Sequence, residues 1–81
     1  MHVTTTINEN KTGKSVTARS GNRKNTVPWT PGIQGGVAAN HGIAARALVE
    51  KVVPAHRKAE ISNTAKVVKF TPTKVTWTYK D

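Results

Sequence analysis

Only one stretch of the chain repeats its apolar residues at the spacing of an α-helix, and it limits what the rest can build. In residues 36–54 (GVAANHGIAARALVEKVVP), Val37, His41, Ala44, Leu48 and Val52 recur at steps of three or four, with Ala45 and Val49 beside them. These positions make one face. The alanines and Leu48 are strong helix formers, and Pro54 is a natural stop. Arg46, Glu50 and Lys51 fall off the stripe, and Glu50 follows Arg46 at the spacing of a surface ion pair. Gly42 costs about 1 kcal/mol against alanine in a helix interior, so it marks either close approach to a sheet or fraying. A lone amphipathic helix needs a surface to cover, and the flanking segments are expected to supply it as strands.

Residues 2–8 place Val3, Thr5 and Ile7 at alternate positions, the pattern of a half-buried strand. Residues 8–14 (NENKTGK) form a polar turn region, with Gly13 able to take positive φ. Residues 15–19 (SVTAR) suit a second strand. Ser20-Gly21-Asn22 is a turn, and residues 23–29 (RKNTVPW) are a third strand whose Pro28 belongs at a sheet edge or beyond it. Residues 30–36 are breaker-rich. After Pro54 comes a basic connection at 55–58, then residues 59–65, which suit loop or strand equally. Residues 66–70 (KVVKF) and 75–79 (VTWTY) are rich in β-branched and aromatic residues and predict a C-terminal hairpin. Within it Val75, Trp77 and Tyr79 share one face, and Thr76 and Thr78 the other. The expected architecture is α+β: a single helix packed on a small antiparallel β-sheet, in the order β-β-(β)-α-β-β. The helix is expected over 37–53, and the core is drawn from Ala44, Leu48, Val52, Val68, Phe70 and Trp77. Residues 1–81 make one small basic domain.

Composition narrows the function classes. With 36% hydrophobic residues and aromatics limited to two Trp, one Tyr and one Phe, the core must be thin, and self-association would help it. There is no cysteine, hence no disulfide framework and no thiolate metal site, which suits a cytoplasmic setting. No run approaches the roughly 20 apolar residues of a membrane span. The opening MHVTTTINENK lacks the apolar segment of a signal peptide.

Motifs of chemistry are missing their partners. Gly13-Lys14-Ser15 resembles the end of a phosphate-binding loop, but Asn8 occupies the position of the earlier glycine, and β-type residues follow where a helix is required. His2, His41 and His56 are scattered, with no carboxylate at ligand spacing. His41 on the apolar helix face suits a hydrogen-bonded, half-buried role. Glu9, Glu50, Glu60 and Asp81 are the only acids, too few and too dispersed for a paired-carboxylate site. Ser15, Ser20 and Ser62 have no acid–base set around them. Asn10-Lys11-Thr12 matches a glycosylation sequon that a chain kept from the secretory route never uses. A non-enzymatic protein without metal or cofactor is expected.

The cations are the remaining lead. Thirteen Lys and Arg against four Asp and Glu give a net charge of +9, which implies attraction to polyanions, nucleic acid foremost. Lys11, Lys14, Arg19, Arg23 and Lys24 gather around the first turns, Arg57 and Lys58 follow the helix, and Lys66, Lys69, Lys74 and Lys80 lie in the last hairpin. The first seven are the candidate nucleic-acid contacts; a stripe this wide tracks phosphates rather than reads bases, so binding is expected to be non-specific. Trp77 and Tyr79 could stack on bases if their face were open, but a thin core needs them inside. Trp29, flanked by prolines, is the aromatic expected to be exposed and to anchor a protein interface.

The run Asn22-Arg23-Lys24 with Thr26-Val27-Pro28-Trp29, followed by Asn40-His41 and by Ala44-Ala45-Arg46-Ala47-Leu48-Val49-Glu50-Lys51, resembles small accessory proteins encoded by phages of actinobacteria. The resemblance covers the central third of the chain; residues 59–81 are longer and more basic than the pattern. It implies a protein of the host cytoplasm that binds host nucleic acid or a host protein, and it transfers no catalytic residue.

Overall fold

A computed structural model describes residues 1–80 of the chain. In chain order they form β1 (His2–Asn10), β2 (Gly13–Ser20), β3 (Arg23–Pro28), α1 (Gly36–Val52), a 3-10 turn (Ala55–Arg57), α2 (Lys58–Ser62), β4 (Lys66–Phe70) and β5 (Lys74–Thr78). The strands make one five-stranded sheet in the order β3-β2-β1-β5-β4, with every neighbouring pair antiparallel. The third strand, bracketed in the sequence order, is a full member at one edge.

The first three strands form a meander because their connections are turns. At the β1–β2 turn the Asn10 side chain accepts hydrogen bonds from the Thr12 amide (2.9 Å) and hydroxyl (2.7 Å). At the β2–β3 turn Gly21 takes φ 58°, a left-handed conformation that other residues rarely adopt. β1 is central. Its second edge pairs with β5, from His2 opposite Thr78 to Thr6 opposite Lys74, and backbone bonds between Met1 and Tyr79 (2.9 Å each way) extend that ladder.

α1 lies across β1, β2 and β3. Its Ala44, Ala45, Leu48 and Val49 meet Val3, Val16 and Ala18 of the sheet, and Ile61, Val53 and Tyr79 complete the buried cluster. Gly42 resolves as a site of close approach: a Cβ there would stand 3.6 Å from the ring tip of Trp77. The Arg46–Glu50 ion pair forms at 3.1 Å. Among the described residues no helix is long and apolar enough to cross a membrane.

Three expectations need correction. The helix is not single. Residues that suited loop or strand begin instead with α2, a short helix that buries Ile61 and Ser62 and continues from the 3-10 turn. Second, Val68 and Phe70 are not core: they are 61% and 49% exposed. Plain alternation would put both on one face, but the register shifts between Val67 and Lys69, a β-bulge with Val68 as its extra residue. All of β4, at the sheet edge, is exposed. Third, Val52 and Trp77 are half-buried, packed against the cluster rather than within it.

Candidate functional site

The two faces of the sheet differ in chemistry: the apolar strand residues that form the core lie on the helix side, and hydroxyls, amides and cations dominate the other. On the helix side β1 offers Val3, Thr5 and Ile7, whose partners are Ala18 and Val16 on β2 and Trp77 and Val75 on β5. Two adjacent polar residues of α1 are buried there, and their bonds are structural. Asn40 accepts from the Thr30 amide (2.7 Å) and donates to the carbonyls of Thr30 and Gly36 (3.1 Å each), so one side chain holds the loop between β3 and α1. His41 Nε2 lies 3.1 Å from the Pro72 carbonyl, which can only accept, so this nitrogen carries the proton. Nδ1 lies 2.7 Å from the Thr5 hydroxyl, which accepts from Trp77 Nε1 at 3.1 Å and whose single proton is shared between Nδ1 and the Val75 carbonyl 3.3 Å away. His41 is hydrogen-bonded, as its place on the stripe suggested, but fully rather than half buried. Burial also pushes the Tyr79 phenol above its ordinary pKa, against the opposing effect of the Arg46 guanidinium.

The other face carries no helix. Alternation and register assign it His2, Thr4, Thr6 and Asn8 on β1, Ser15, Thr17 and Arg19 on β2, and Lys24, Thr26 and Pro28 on β3. Beyond β1 it takes Lys74, Thr76 and Thr78 from β5, and Lys66 and Lys69 from β4. Its hydroxyls and amides are tied together: Asn8 donates to Thr17 at 2.6 Å, and Thr17 and Thr26 share a bond of 2.8 Å. One row crosses the whole sheet in register, Lys24–Arg19–Thr4–Thr76–Lys69. Lys66 and Lys69, three residues apart, share this face only because the bulge at Val68 resets the alternation. Among the described residues the face has no acidic side chain. Glu9 lies opposite Lys14 on the helix side, and Glu50 and Glu60 belong to α1 and α2. Lys69, Thr71, Lys74 and Thr76 line a hollow of about 200 Å³, in which the Thr71 hydroxyl is committed to the Lys74 backbone, donating to its carbonyl (2.9 Å) and accepting from its amide (3.1 Å).

The seven cations singled out in the sequence are not brought together. Arg19 and Lys24 are cross-strand partners on the open face. Arg23 and Lys14 alternate to the helix side, where Lys14 Nζ sits 5.1 Å from the centroid of the Trp29 ring. Lys11 is in the β1–β2 turn, Arg57 closes the 3-10 turn 3.5 Å from Glu60, and Lys58 opens α2. Lys66, Lys69 and Lys74 complete the basic rim of the open face. The alternation of the last hairpin was visible, but the bulge that aligns its lysines has no glycine or proline to announce it. Trp29 is half-buried against the core and covered by Lys14, so it is not the exposed aromatic. Phe70 is.

No protein-family model matches the chain, and comparison with curated proteins and with solved structures likewise finds no match.

Proposed function

We propose that the protein is a small, non-enzymatic, phage-type accessory protein of the host cytoplasm that binds nucleic acid through phosphate contacts made by the open face of its sheet. One observation carries this: the row Lys24–Arg19–Thr4–Thr76–Lys69 has cations at both ends, hydroxyls between, and no acid on the same face among the described residues. Long basic side chains on a flat surface reach phosphate oxygens without losing their own solvation, and threonine hydroxyls add sequence-blind bonds. The test is fluorescence anisotropy with unrelated oligonucleotides at several salt concentrations. Affinity should fall steeply with salt as counterions are released, and replacing Arg19 and Lys24 together by alanine should make the slope shallower by about two. Arg23→Ala, on the other side of β3, should change it little. Failure to bind any nucleic acid below about 100 μM at low salt, weaker than ordinary non-specific affinity, would end this reading.

A second reading, a protein-interaction module, is favoured by β4. Val67, Val68 and Phe70 are 46%, 61% and 49% exposed on an edge strand whose other face presents Lys66 and Lys69. Its matching partner is an extended segment alternating acidic with apolar residues, added beside β4. A complex that resists salt and is lost on Phe70→Ser, with Arg19 and Lys24 irrelevant, would favour this module.

A further inference from the structure

We infer that the open face takes double-stranded DNA in preference to a single strand, with its two basic rims on the two backbones that border one groove. The inference rests on the phosphate-binding reading and adds the form of the ligand.

The location of the aromatics is the first argument. Proteins that hold single strands supply aromatic rings on which successive bases stack. Here Trp77 is tied to Thr5 on the helix side, Tyr79 is 2% exposed within the core, Trp29 packs against the core under Lys14, and Phe70 pairs with Val75 on the helix side. Among the described residues the open face has no Trp, Tyr or Phe; its one aromatic ring is His2, at the end of β1 and 3.3 Å from the Thr78 hydroxyl. Successive unstacked bases would find no row of rings there, only hydroxyls, amides, cations and a proline. A duplex keeps its bases stacked and presents phosphates and sugars, which is what this surface can bond.

Spacing is the second. Strands stand about 4.8 Å apart, so in the row across the sheet Arg19 and Lys69, three strands apart, are separated by roughly 14 Å at the backbone, and Lys24 and Lys69 by roughly 19 Å, from the same spacing. The wide groove of B-form DNA is about 12 Å across. Flexible side chains leaning inward from the two rims can therefore each meet a backbone, with Thr4 and Thr76 above the groove between them. A five-stranded sheet is too broad to enter the groove, so contact stays at its margins and carries no base code. The bulge at Val68 serves this arrangement, since it turns Lys69 onto the open face opposite the Arg19 rim.

The experiment compares one mixed sequence as duplex DNA, single-stranded DNA and duplex RNA, by anisotropy across a salt series. It uses wild type, an Arg19→Ala/Lys24→Ala variant, a Lys69→Ala/Lys74→Ala variant and a Lys58→Ala control, each checked by circular dichroism. Duplex DNA is expected to bind at least about tenfold tighter than the single strand, because only the duplex neutralises both rims. Each double variant should lose about two units of salt slope on duplex DNA, at roughly one per phosphate contact, and Lys58→Ala none. Equal or tighter binding of the single strand, a preference for duplex RNA, or a loss confined to one rim would each overturn the duplex assignment while leaving phosphate binding intact. No binding by any of the three would remove both. Should a double variant fail to fold, Lys69→Gln and Arg19→Gln singly give the same comparison at about one unit each.

Discussion

At the scale of the residue, adjacent positions in α1 show how little of the polar chemistry here is spare. Asn40 is 2% exposed, and its side chain bonds only backbone: the amide and carbonyl of Thr30 in the loop before α1, and the carbonyl of Gly36 at the start of α1. Asn40→Ala would remove both bonds to the exposed Thr30 backbone, at a net cost of about 0.5–1.5 kcal/mol each; a fall of several degrees in the thermal midpoint is the expected result. Gly42 leads the opposite way. A methyl group there meets the Trp77 ring at an ordinary contact distance of 3.6 Å, and the backbone is helical. Gly42→Ala should therefore gain up to about 1 kcal/mol from helix propensity, read as a raised midpoint. Tyr79 gives a pH signature. Its pKa is higher in the folded than in the unfolded chain, chiefly through burial. The unfolded chain thus loses this proton first as pH rises past about 10. The stability that the neutral buried phenol contributes is complete below that pH and is lost as pH climbs through the folded-state value. Tyr79→Phe should flatten the alkaline limb of a stability–pH curve relative to wild type, measured by urea unfolding between pH 8 and 11.

At the scale of the element, α1 shows what periodicity can reveal and β4 what it cannot. Of the positions that recur along 37–53, His41, Ala44, Ala45, Leu48 and Val49 bury while Val37 and Val52, near the two ends, stay half-buried; Leu48→Ala should cost about 2–5 kcal/mol and unfold much of a domain this thin, as circular dichroism would report. The meander strands were equally legible, because turn residues separate runs of clean alternation. The C-terminal hairpin was legible as a hairpin but not in its facing: the repeat Lys66-Val67-Val68-Lys69 fits two registers, and only pairing with Trp77 and Thr76 on β5 selects the bulged one. α2 was missed because its five residues carry too few apolar positions to set a period; it forms where Ile61 can bury. The candidate interface was half visible for the same reason. Net charge announced a basic surface, and adjacency in sequence grouped Arg23 with Lys24, yet neighbours along a strand point to opposite faces. What unites Lys24 with Lys69 is register across five strands, which no local window contains.

At the scale of the whole molecule, the helix layer and the open face divide the work: one side gathers the apolar residues and the described acids, the other is left with hydroxyls and cations. Because the two do not share residues, substitutions on the open face should leave the thermal midpoint almost unchanged while altering polyanion affinity. Arg19→Ala/Lys24→Ala measured by calorimetry and anisotropy together would show it. The order β3-β2-β1-β5-β4 has a further consequence, for the way the fold is reached. Three strands join by short turns and can zip early, but β1 finds its second neighbour only when Thr78 arrives opposite His2. Closing so long a loop is slow. On a ribosome adding about 5–20 residues per second, the central strand waits several seconds with one side unpaired. During that interval its bare edge is a template for any β5 within reach, including that of a neighbouring nascent chain. Exchange of the last hairpin between molecules is thus the misfolding hazard this strand order creates, and dense expression should reveal it as dimers that dissociate only on unfolding.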